Sequence, residues 1–297
     1  MNELIKPLSP SRAERAKSLL KRAIRYQAEL SKTPLAHEVI DRATPVVWFG
    51  NISPNNWVTI ATNPSSKEFL NTDGTLLLGG KSRFYVREKG VSLAEYEKSD
   101  TQLESTIEMY NSYFERDTAY RGWFGKKNGA KLEGFLNGMG GSLYSTHNKK
   151  RVVHTDFLPI PTRSQMSKIS SKGNLFESQF VKGFIRDTLD FLSPSLIIVL
   201  GKEHCSRLAL GKEFSFNNAE SIKGFPNAKY QIGFYHQLGV PVVGLHFKPS
   251  EQFIGLGGNK ADLNGRGHGD YAKKVSLNQM GNEVLNELKK VFPNLIM

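Results

Sequence analysis

Four short apolar runs rich in β-branched residues constrain this chain more than any other feature: Trp57 to Ala61, Val152 to Leu158, Leu196 to Leu200, and Val240 to His246. Runs of this length with little alternation fit strands buried on both faces, as in parallel sheets. Helical spacing occupies the intervals, around residues 98 to 116 and 176 to 192, and a last helix is expected at about 276 to 291. Strands alternating with helices predict an α/β fold: an open, mostly parallel four-stranded sheet with helices on both faces. Ligands of such sheets bind where the strands end at their carboxyl edge, so the residues after each run are the ones to inspect.

Residues 11 to 31 add an amphipathic N-terminal helix, started by Ser9 and Pro10. Its polar face carries Arg12, Arg15, Lys17, Lys21, Arg22 and Arg25, which is either a solvated face or one that contacts phosphate. Stretches 73 to 83, 121 to 151 and 254 to 270 read as irregular loops. The last joins six glycines to Lys260, Arg266 and His268, a basic segment able to approach a phosphate backbone. Its glycine spacing matches neither a Walker loop nor a dinucleotide fingerprint. One domain is expected, with a helical extension over 1–44, a core over 45–255, and the Gly-rich loop with the C-terminal helix over 256–297.

Charge narrows the partner. Forty Lys and Arg against 28 Asp and Glu leave +12, a surplus that favours a polyanion. The single cysteine, Cys205, excludes an internal disulfide, a cysteine-based zinc site and an iron–sulfur cluster. With no long apolar run and no basic-then-apolar leader, a cytoplasmic protein without membrane contact is expected.

The first run is followed by Thr62, Asn63, Pro64, Ser65 and Ser66, and then by GGKSRFYV at 79 to 86. The last run ends in His246, Phe247, Lys248, Pro249 and Ser250. Asn63-Pro64 alone reads as a turn. In this order, with VVHTDFLPIPT at 152 to 162 and PSLIIVLGK at 194 to 202, the segments resemble the uracil-DNA glycosylase superfamily, and Arg83-Phe84-Tyr85 resembles its mismatch-specific branch. The resemblance covers about residues 45 to 255. It implies that Asn63 holds the attacking water, that Asp156 reads the base, and that His246 or Lys248 stabilises the departing base anion. Thr62, Leu77, Phe84, Tyr85 and Ser250 would contact substrate; Arg83, Lys260 and Arg266 would contact DNA. Phe253 would be a wedge in the minor groove while the nucleotide flips, or else a core aromatic. The reaction needs no cofactor and no metal, and DNA is the partner of a chain expected to be monomeric.

The departures are informative. Ala61 or Thr62 stands where the family's first motif begins with glycine, and Ser65 follows Asn63-Pro64. The branch's stacking aromatic falls near Leu77, which passes stacking to Phe84 or Tyr85. Asp156 stands where uracil readers have Asn, and an ionised Asp only accepts hydrogen bonds. It would repel uracil O4 and welcome the amine of a cytosine-type base, such as a hydroxymethylated or glucosylated phage base of the kind that phage-restricting members remove. Asp156 could equally cap a turn at the strand end. A monofunctional glycosylase is therefore expected, for uracil-like, damaged or modified cytosine bases. The alternatives are a catalytically weak DNA-binding module of the same fold, and a glycosylase-lyase with Lys248 as Schiff-base nucleophile.

Overall fold

The structure is a computed structural model and describes residues 8–170, 172–251 and 272–293. In chain order its helices are α1 (Pro10–Leu30), α2 (Leu93–Lys98), α3 (Asp100–Asn111), α4 (Arg121–Phe124), α5 (Lys131–Gly138), α6 (Lys172–Glu177), α7 (Gln179–Leu192), α8 (Lys202–Ala209) and α9 (Lys274–Val291). Its strands are β1 (Trp57–Ala61), β2 (Gly141–Ser142), β3 (Lys150–Asp156), β4 (Leu196–Leu200), β5 (Phe214–Phe216), β6 (Glu220–Ile222), β7 (Phe225–Tyr235) and β8 (Val240–Leu245). The chain forms two compact units, one of residues up to 52, 62–119 and 154–192, the other of 53–61, 120–153 and the residues from 193 on.

The second unit carries the sheet, ordered β2-β3-β1-β4-β8-β7-β5 with β6 on β7. The four apolar runs became its adjacent strands β3, β1, β4 and β8, and every residue of β1 and β4 is buried. β1 pairs parallel with β4, and β4 with β8, so their carboxyl ends share one edge. The expected four-stranded, mostly parallel sheet is nevertheless corrected: the fold is α/β, but the sheet has eight strands and is mixed. β7 runs antiparallel to β8, and β5 and β6 run antiparallel to β7. β7 hid from the apolar-run criterion because polar residues interrupt it and Pro226 stands near its start; its burial alternates, as in a strand with one solvated face.

The stretch 121–151 is not an irregular loop either, since it holds α4, α5 and β2. Its glycines read as breakers, but at Gly138 a Cβ would lie 2.1 Å from the Asn278 carbonyl oxygen of α9, and at Gly281 it would lie 2.1 Å from that of Phe135. They are the points where α5 and α9 touch backbone to backbone. Gly281→Ala should therefore lower stability by about 1–3 kcal/mol through overpacking. Gly183→Ala, whose Cβ on α7 would meet only a guanidinium at 4.0 Å, should be neutral or slightly stabilising. Thermal melts of the two variants test this contrast.

The first unit is built on α1, α2, α3, α6 and α7. α1 begins at Pro10, as its start signals predict, and buries Ala16, Leu20, Ala23 and Ile24. The expected helix around 98 to 116 is broken at Ser99, whose hydroxyl caps the next helix by accepting from Gln102 N–H. The basic face of α1 is committed inside the unit: Arg15 pairs with Asp190, Arg22 with Asp187, Arg25 with Glu97, Lys17 with Glu104 and Lys21 with Asp100. Such exposed pairs add little stability, but they neutralise the face and argue against its use on phosphate.

No helix among the described residues is long and apolar enough to cross a membrane.

Candidate functional site

In the first unit the segment after β1 is locked by its polar atoms. Thr62 O accepts the Leu158 N–H at 3.1 Å. The Asn63 amide nitrogen lies 2.9 Å from Thr162 Oγ1 and also faces the carbonyls of Ile160 and Pro64. The Thr162 hydroxyl gives its own proton to Ser164 O at 2.8 Å, so toward Asn63 it can only accept. That fixes the amide: nitrogen inward, oxygen outward. No donor among the described residues reaches the oxygen. Ser65 then caps a short turn over Ser66–Glu68, accepting from Lys67 N–H at 3.2 Å.

Asp156 closes β3 and is 3% exposed. Its Oδ1 is buried without a hydrogen-bond donor. His154 Nε2 lies 3.4 Å away, within ion-pair distance but outside hydrogen-bond alignment. His154 is tied to Phe49 by two backbone hydrogen bonds, and Phe49 packs edge-on against Tyr113 and Phe84. Tyr113 donates to the Glu68 carboxylate at 2.7 Å. Burial pushes that carboxyl up to about 8, a rise that the Tyr113 hydrogen bond opposes.

The residues expected to stack on a base do not offer a face. Phe84 is wholly buried among Phe49, Phe69, Tyr110 and Tyr113, and Leu77 is also interior. Tyr85 lies flat on Tyr96. Arg83 donates to the carbonyls of Thr118 and Lys67, which makes it a brace for this loop. These Arg-Phe-Tyr side chains thus build the aromatic core of the unit, a role that an order-of-motifs reading cannot separate from substrate contact.

In the second unit His246, Lys248 and Ser250 follow the carboxyl end of β8. His246 Nε2 shares a 3.1 Å hydrogen bond with Gln231 Oε1 of β7. Partial burial lowers its pKa, and the charges of Lys202 and Lys229 lower it further, which favours a neutral ring. Lys248 pairs with Glu251 at 3.1 Å and passes Gly201, whose Cβ, if present, would sit 3.5 Å from Lys248 Cε. Ser250 is a structural cap, not a substrate contact: 4% exposed, it accepts Leu132 N–H at 3.1 Å and donates to Trp123 O. Lys131 reaches Ser250 O at 3.3 Å, and burial lowers its ammonium to about 8. Phe253, Lys260 and Arg266 lie outside the described residues. Among the described residues no three His, Cys, Asp or Glu side chains gather as metal ligands.

Sequence order thus located Asn63 and Asp156 within one unit and His246 with Lys248 in the other. It missed Glu68, Tyr113, Thr162 and Gln231. Glu68, a carboxylate five positions past Asn63 in an otherwise polar loop, was the one with a visible signal. Neither the comparison with protein-family models nor that with curated proteins finds a match.

Proposed function

We propose that this chain is a monofunctional DNA glycosylase of the uracil-DNA-glycosylase type, acting as a monomer without cofactor or metal and leaving an abasic site. The observation that carries the reading is the Asn63 amide, whose nitrogen is fully committed while its oxygen is left as an acceptor. An acceptor so placed can hold a water by one of its protons and aim a lone pair at C1′. A neutral amide is no strong base, so it suits a dissociative path in which the C1′–N bond is largely broken before water adds. The water's proton ends on the departing base.

Asp156 supports the substrate side. Buried polar atoms are rarely left without a partner, and the Oδ1 of Asp156 calls for a donor. The exocyclic amine of a cytosine-type base supplies one; uracil O4 does not. His246, neutral and anchored by Gln231, and Lys248 are assigned to the charge that develops on the base. The ion pair of Lys248 with Glu251 favours this role over that of a Schiff-base nucleophile, which needs a free amine.

One observation favours a second reading, a DNA-binding module of the same fold without chemistry: Leu77 and Phe84 are sealed and Ser250 is used as a cap. Both readings predict binding, and only the first predicts base release. DNA affinity should fall steeply with salt, with a log–log slope of about −0.9 per phosphate contact. Fluorescence anisotropy between about 50 and about 200 mM salt measures it, and an unchanged affinity would remove DNA as the partner of this +12 chain.

A further inference from the structure

The proposed chemistry leaves Glu68 without a task, although this side chain is 2% exposed, in the turn that follows Asn63. Its carboxyl receives one hydrogen bond, from the neutral Tyr113 phenol, and no Lys, Arg or His among the described residues lies within ion-pair reach of it. The nearest cations are occupied elsewhere: the Arg116 guanidinium donates to the carbonyls of Ser82, Arg83 and Met109, and Arg83 to those of Thr118 and Lys67. A buried carboxylate with a single neutral donor is poorly compensated, and such a group keeps its proton. The charge of Asp156 acts on Glu68 in the same direction, whereas those of Arg83 and Arg116 oppose it. Asp156 in turn holds a buried oxygen with no donor, beside His154.

We propose that Glu68 and Asp156 work as a carboxyl pair carrying one negative charge, with the proton on Glu68 and the charge on Asp156, so that the site accepts a base presenting an amine and fails when Glu68 ionises. The substrate class rests on the glycosylase reading. Glu68 is a positioning residue and neither gains nor loses a proton in turnover. The C1′–N bond breaks with its electron pair going to the base, and water supplies both the oxygen on C1′ and the proton on the base. A second carboxylate near the reader would repel that electron pair and raise the barrier.

Two measurements on the full chain test the pair. The first is a carboxyl titration by carbon NMR on protein with 13C-labelled Glu, assigned by loss of the signal in Glu68→Gln. It should show Glu68 ionising near 8 in the parent, and lower in Asp156→Asn. A Glu68 signal that ionises in the ordinary carboxylate range, or that ignores Asp156→Asn, overturns the pair. The second is the pH profile of base release from modified-cytosine DNA. Release should fall about tenfold or more between about pH 7 and about pH 9.5, and the ratio of the two rates should approach one in Glu68→Gln. The same alkaline fall in both proteins overturns the role of Glu68 while leaving the glycosylase reading intact. If the titration behaves as expected and no DNA releases a base, the glycosylase reading and the substrate class fail while the carboxyl pair stands.

Discussion

Asn63→Ala is expected to lower base release by roughly a hundredfold or more, the scale on which loss of one positioned polar group acts, while DNA affinity and melting temperature stay near the parent values. The expectation follows from the local geometry. The side chain is only partly buried, and it contributes hydrogen bonds to Thr162 Oγ1 and to backbone carbonyls but little apolar packing. What disappears is the outward-facing oxygen, and with it the water held for attack on C1′. Calorimetry and anisotropy on the variant separate chemistry from folding and binding. An Asn63→Ala protein that remains fully active on its substrate contradicts the assignment of the water to this residue.

Asp156→Asn is expected to change which base is released. The carboxylate accepts from two oxygens, of which Oδ1 has no donor in this structure. An amide of the same shape presents one acceptor and one donor, the pattern that suits uracil O4 and N3–H. A site built to hydrogen-bond one pattern rejects its complement by several orders of magnitude, because buried groups are left unpaired. Excision of uracil relative to a cytosine-type base should therefore rise by about tenfold or more. Equal loss on every base would show that Asp156 holds the strand end and does not read the substrate. The variant should also be at least as stable as the parent, because it removes a carboxyl that is 3% exposed and has an orphaned oxygen.

Glu68 adds a pH dependence to stability whose sign is opposite to that of a paired carboxylate. Its folded-state pKa, about 8, lies above the model value of 4.5, so the folded protein binds this proton more tightly than the unfolded chain. Its contribution is therefore greatest below about 4.5 and is lost as pH rises to about 8, by at most about 1.4 kcal/mol per pH unit. Melts of the parent and of Glu68→Gln across this window should diverge, with the variant ahead at alkaline pH.

The parts of the fold legible in the sequence were those fixed by local pattern. Runs such as LIIVL at β4 have no reading except a buried strand, and α1 carries both its start signals and its apolar stripe. β5, β6 and β7 were not legible, because one-sided strands mix polar with apolar residues and their pairing is decided across the sheet. α5 was hidden by glycines whose purpose, contact with α9, lies outside their own segment. The candidate site divides in the same way. Asn63 and Asp156 follow strands, so position alone selected them. Phe84 was selected by motif order but is consumed by the core, where it stacks on Tyr113. Glu68, Thr162 and Gln231 matter only through partners far along the chain, and no spacing rule contains that information.

The central claim is that this protein releases a base from DNA. Its most direct test incubates the purified full chain with plasmid DNA, uracil-containing DNA and modified-cytosine phage DNA, and counts free bases by mass spectrometry against abasic sites. The account predicts free base in equal number to abasic sites from at least one of the three substrates, with modified cytosine ahead of uracil, and loss of both products in Asn63→Ala. A folded protein that binds these DNAs with a steep salt dependence and releases no base from any of them would contradict it and leave the DNA-binding module as the function of the fold.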